Sequence, residues 1–82
     1  MEKYKICLVK WSDIESNSNS WQTIDESIEF HEELTIIEQV GYIIYEDEKS
    51  IIITDSVCEK LELIGNSTRI PKGNVLEIID LT

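Results

Sequence analysis

The sequence predicts a single small domain built mainly of β-strands. Three observations carry that prediction. The second half runs in short β-rich stretches, TIIEQVGYIIY at 35–45, SIIITDSV at 50–57 and VLEIIDL at 75–81, with the two-residue alternation of a strand clearest in the first. Turn-forming residues separate those stretches: EDEK at 46–49, Gly65-Asn66, and IPKGN at 70–74. Helical spacing is confined to TIDESIEFHEEL at 23–34, and 82 residues suit one domain.

The first element is YKICLVKW at 4–11. As a strand it sends Tyr4, Ile6 and Leu8 to one side and Cys7, Val9 and Trp11 to the other. A strand apolar on both faces belongs inside a sandwich or barrel, or beneath another element. SDIESNSNS at 12–20 is loop by composition. Thr23 followed by Glu26 forms a capping box, and Ile24, Ile28 and Leu34 recur at rough helical spacing. At most two turns of helix are expected there, with an irregular acidic loop as the alternative.

In the next strand Ile36, Val40, Tyr42 and Ile44 fall on one parity. It forms a hairpin with SIIITDSV across EDEK. KLELIGNSTRI places a second hairpin turn at Gly65-Asn66. Pro71 and Gly73 break the ladder, and VLEIIDL closes the domain. This order is the plan of a strongly bent five-stranded barrel of the Src-homology-3 or Sm type. It carries a long loop or short helix after strand one and spans residues 1–82. In such barrels the break before the last strand is usually one turn of tight helix, and closure removes the open sheet edges.

Charge narrows the function. Seven Lys and Arg face 17 Asp and Glu, a formal net charge of −10. That excludes ordinary binding to a nucleic-acid backbone, which needs a basic surface. It suits a basic protein partner, imitation of nucleic acid, or plain solubility. Acidic residues cluster at 25–33 and at Glu46, Asp47 and Glu48. No apolar run approaches the roughly 20 residues of a membrane helix, and MEKYKICLVKW lacks the apolar segment of a signal peptide. An intracellular chain is expected, with Cys7 and Cys58 as buried thiols. Asn66-Ser67-Thr68 matches the glycosylation pattern, which has no consequence without secretion.

A search for catalytic chemistry is mostly negative. The single histidine, His31, lies in EFHEE without the second His of a zinc-protease helix. Glu29, His31 and Glu33 are too crowded for a metal site without ligands from elsewhere. No Ser-His-Asp or Cys-His arrangement is recognisable, and Cys7 sits mid-strand in apolar surroundings, where a thiol is inert. No glycine-rich phosphate loop is present. Neither enzyme activity nor a cofactor or metal is expected.

The two tryptophans remain. Trp11, Ser12 and Asp13, then Trp21, then Val40, Gly41 and Tyr42, then Ile70, Pro71 and Lys72, then Val75, Ile78 and Leu81 form a pattern. It resembles a widespread group of short proteins encoded by bacteriophages and prophages. There, W-x-D ends the first strand, a second Trp follows a polar loop, and V-G-aromatic and I-P-K precede a V-x-x-I-x-x-L strand. The match spans most of the chain and departs at Trp21, which follows Ser20 where the group often has Gly. The resemblance implies a mobile-element setting in a bacterial host cytoplasm, but no particular activity.

In a small barrel the loop after strand one folds back beside the turn before strand five. That arrangement would gather Trp11, Asp13 and Trp21 near Arg69, Lys72 and Tyr42. Aromatic faces with cations can stack on a base or peptide and meet a phosphate or carboxylate. The bland alternative makes Trp11 core, Trp21 a lid, and Arg69–Asp13 a structural bridge. Three functions are compatible. The first is a counter-defence binding protein that sequesters a small nucleotide-like immune signal in a pocket of a homo-oligomer. The second is an acidic, anti-CRISPR-like inhibitor that mimics nucleic acid and occupies a basic bacterial defence enzyme, using Glu46, Asp47 and Glu48. The third is a structural accessory protein.

Overall fold

The computed structural model describes residues 4–18 and 21–82. They form a mainly β domain with one five-stranded antiparallel sheet in the order β6-β3-β2-β1-β7. Its strands are β1 (Ile6–Ser12), β2 (Ile36–Glu46), β3 (Ser50–Thr54), β6 (Ser67–Pro71) and β7 (Val75–Asp80). A small separate hairpin, β4 (Val57–Cys58) with β5 (Leu63–Ile64), lies between β3 and β6 in the chain. One helix, α1 (Ile24–Phe30), follows β1, and a single 3-10 turn at Lys72–Asn74 precedes β7.

Strand β2 is the spine. Its first part, Ile36 to Tyr42, pairs with β1, and its last part, from Tyr42 to Glu46, pairs with β3. Only Tyr42 is paired on both sides. Gly41 stands at this joint because a Cβ there would run into the carbonyl oxygen of Thr54. The β3 backbone passes too close for any side chain, which is what a glycine inside a strand commonly marks. Just beyond, the β2–β3 register slips between Ile43 and Tyr45, and such a bulge bends a strand and increases its twist.

The two halves of the sheet meet over a small core. Cys7 and Val9 come from β1, Ile51 and Ile53 from β3, and Ile70 from β6; Trp11, Ile43 and Val75 pack at its margin. The β1–β2 register explains which residues face it. Cys7, Val9 and Trp11 lie opposite Gly41, Gln39 and Ile37, and directly paired residues share a face. The parity holding Ile36 and Val40 therefore faces outward, and both are exposed.

Three further expectations are corrected. The sheet is not closed into a barrel: β6 and β7 are its two edges. β6 is five residues long and ends on Pro71, which has no N–H to offer a further strand. Gly65-Asn66 does not join a pair of neighbours, because β5 pairs with β4 while β6 pairs with β3. The β3–β6 connection is thus an excursion through a second hairpin instead of a tight turn. Cys7 is buried as expected, but Cys58 is exposed, because β4 is two residues long and lies outside the main sheet.

Candidate functional site

Residues 13–35 leave the sheet as an arm. At its root, the Asn74 side-chain amide donates to the Ser12 carbonyl at 2.8 Å, fixing the end of β1. The Asp13 N–H then donates to the Thr35 carbonyl at 2.9 Å, bringing the departing and returning chains side by side. The Thr35 hydroxyl donates to the Glu15 carboxylate at 2.7 Å, and His31 Nδ1 lies 3.9 Å from the same carboxylate. The Asp13 carboxylate is occupied by the Ile14 N–H at 2.8 Å.

Beyond the root comes α1. Thr23 caps it, accepting the Glu26 N–H at 3.1 Å, and its hydroxyl meets the Glu26 carboxylate at 3.1 Å. Asp25 and Glu26 in the first turn suit the positive end of the helix dipole. The His31 N–H to the Ser27 carbonyl, 3.1 Å, closes the last turn. The helix has seven residues and buries none of them. Ile24 is 80% and Ile28 65% exposed, and Phe30, Ile14 and Leu34 are also exposed. Trp21 is 101% exposed. A helix this short is marginal in water, since most helical stability comes from packing an apolar face. Here that apolar face, with Ile24 and Ile28, is exposed.

Charge separates along the same boundary. The arm holds Asp13, Glu15, Asp25, Glu26, Glu29, Glu32 and Glu33, while every Lys and Arg of the chain lies outside residues 13–35. An open depression of about 570 Å³ beside α1 is lined by Asp25, Ile28, Glu29, His31 and Glu32. Among the described residues, no group of His, Cys, Asp or Glu is placed to hold a metal ion.

Of the residues singled out by sequence, Trp11 and Tyr42 lie apart on the sheet. Trp11 packs at the core margin and its Nε1–H donates to Gln39 Oε1 at 3.2 Å. Trp11 lies opposite Ile37, and Tyr42 opposite Ile6 at the far end of β1, about 17 Å along the strand at ~3.4 Å per residue. The five-residue offset also puts Trp11 and Tyr42 on opposite faces. Arg69 lies on β6 opposite Ile52; among the described residues no ion pair joins it to Asp13. Lys72 pairs with Glu46 at 2.8 Å. Gln39 in turn donates to the Thr68 hydroxyl at 3.5 Å, which links the Trp11 end of the sheet to the strand that carries Arg69.

The acidic cluster at Glu46, Asp47 and Glu48 is partly committed to the β2–β3 turn. Asp47 accepts the N–H groups of Lys49 and Ser50, each at 2.8 Å, and those bonds hold its carboxyl below the usual range. Asp80 is lowered further, to about 2, by hydrogen bonds from the Thr82 hydroxyl and N–H and by Lys5 at 3.2 Å. Burial pushes the Cys7 thiol up, with Asp80 adding to the effect, so the thiol stays protonated and unreactive. A second, smaller pocket of about 110 Å³ lies at the β4–β5 hairpin, lined by residues that include Tyr4, Cys58, Glu59 and Glu62.

Sequence reading missed the exposure of Ile14, Ile24, Ile28, Phe30 and Leu34. The helical spacing was legible, but a helix stripe normally implies a core behind it. The absence of cations between residues 13 and 35 was the signal that this segment stands apart. Comparison with known proteins finds no matching family model, no similar curated protein and no similar solved structure.

Proposed function

We propose that this chain is a non-enzymatic binding protein whose working element is the arm, residues 13–35, docked on a protein surface. One observation carries the reading: a capped helix that buries none of its residues presents Ile24 and Ile28 on a root fixed to the sheet. Apolar side chains ringed by carboxylates suit an apolar partner surface with cations at its rim. The strand order and the 3-10 turn before β7 support kinship with Src-homology-3 and Sm domains, which would make the sheet a rigid platform. The bacteriophage resemblance supports a counter-defence setting.

A second reading keeps a small nucleotide-like ligand. The full exposure of Trp21 favours it, since one stacked base is worth about 1–3 kcal/mol. With Trp11 and Tyr42 on opposite faces, a pocket that used both would be assembled between chains.

The test is the mass of the native assembly from the cells that make it, for the wild type and for Ile24→Ser/Ile28→Ser. The wild type should carry another polypeptide of either kind, and the variant should run at 9.5 kDa. A wild type already at 9.5 kDa, with freely exchanging amides at 24–30, overturns the reading.

A further inference from the structure

Resting on the arm reading above, we infer that the arm's partner is a second copy of this chain. In this arrangement α1 of each protomer lies across the outer face of the other's sheet.

The first argument is area. The chain exposes 6582 Å², whereas a compact monomer of 9.5 kDa exposes about 5,050 Å². Its Cα radius of gyration is 16.5 Å, against about 12 Å for a compact domain of this length. The surplus, about 1,500 Å², exceeds the ~800 Å² per partner of a standard stable interface. The second argument is the core. Among the described residues it comprises five buried apolar side chains, a small core for an 82-residue chain, to which a constant partner would add buried apolar surface. A partner present whenever the chain is made is another copy of the chain.

The receiving surface is on the same molecule. The register puts Ile79, Leu8 and Val40 in one row on the outer face, with Ile6 and Tyr42 in the next row. Val40 is 58% exposed. That row crosses three strands, about 10 Å, and the seven residues of α1 are about 10 Å long. Lys10 stands on the same face, opposite Glu38 and Glu77, and pairs with Glu77 at 3.7 Å. The arm does not reach its own face in the structure, because the Asp13–Thr35 and Thr35–Glu15 bonds fix its root. Reciprocal exchange satisfies both surfaces with one two-fold axis, the commonest symmetry of soluble oligomers.

Sedimentation equilibrium of the purified chain should give twice 9.5 kDa. Ile24→Ser/Ile28→Ser, and separately Val40→Glu, should each weaken the dimer at least about tenfold. Should either variant fail to fold, a cross-link that leaves the interface in place decides. In a Cys58→Ser background, chains carrying Ile28→Cys are mixed with chains carrying Val40→Cys, refolded together and mildly oxidised. A disulfide-linked heterodimer supports the proposal, and cross-links confined to like chains overturn it. A pure chain that stays at 9.5 kDa overturns it too. If the native assembly then still carries a different protein through Ile24 and Ile28, the arm reading survives; if it carries none, both fall. A dimer indifferent to both variants places the interface elsewhere and overturns the second-copy assignment.

Discussion

Isoleucine behaves in opposite ways in the two regions of this molecule. In the sheet, Ile51 and Ile53 are fully buried in the core with Cys7, Val9 and Ile70, while in the arm Ile24 and Ile28 stand largely in solvent. Side-chain chemistry is the same. What differs is how the backbone is held. β3 is hydrogen-bonded on both sides, by β2 and β6, so its side chains are delivered to the core whatever their own preference. The arm is fixed only at its root, and α1 supplies its own backbone bonds without delivering its stripe to any surface of the same chain. Burial here follows backbone pairing, and the arm is the region where that pairing is missing.

That contrast can be broken most severely at the joint. Gly41→Val should abolish the folded sheet, because the obstruction is the Thr54 backbone, which cannot move aside as a side chain could. Loss of cooperative thermal unfolding would show it; a normal transition would mean that the bend does not depend on glycine. Next in size is Ile53→Ala, expected to cost about 2–5 kcal/mol in denaturant titration as a cavity opens in the core. The same truncation at Ile24, measured in dilute protein, should change stability by no more than about 0.5 kcal/mol. Equal losses at both positions would erase the distinction between sheet and arm.

The tryptophans sharpen it. Trp11→Ala removes packing at the core margin and the bond to Gln39, and should cost about 3 kcal/mol. Trp21→Ala should leave thermal unfolding of the sheet nearly unchanged and weaken association at least several-fold, about 1 kcal/mol or more. A Trp21 variant that unfolds as readily as the Trp11 variant would make the loop part of the core.

The smallest expected effect lies at the end of β7. Asp80 has its folded pKa lowered from 3.8 to about 2. The unfolded chain therefore takes up this proton first as pH falls. The stabilisation is present above pH 3.8 and is lost as pH drops toward 2. Asp80→Asn should therefore lower stability at neutral pH, flatten the acid side of the curve in that window, and differ least from the wild type near pH 2. An unchanged slope between pH 4 and 2 would show that the Thr82 and Lys5 contacts do not persist in solution.

What the sequence determined by itself is local. The two-residue alternation set the strands, Thr23 and Glu26 set the start of the helix, and the IPKGN break set the turn before β7, because dihedral preference and capping act within a few residues. Charge segregation was equally legible: no cation occurs between residues 13 and 35. Only the tertiary structure decided the rest. Whether Ile36 and Val40 or Ile37 and Gln39 face inward depends on the register with β1, and a one-residue slip exchanges the two sets. Whether the sheet closes depends on how its two edges meet: β6 and β7 are separated by only the 3-10 turn at Lys72–Asn74, yet they do not pair with each other. Whether the Ile24–Ile28 stripe covers a core depends on where the arm's root aims it, and that root is held by the Asp13 N–H donating to the Thr35 carbonyl and the Thr35 hydroxyl donating to the Glu15 carboxylate, contacts that span twenty or more residues of chain.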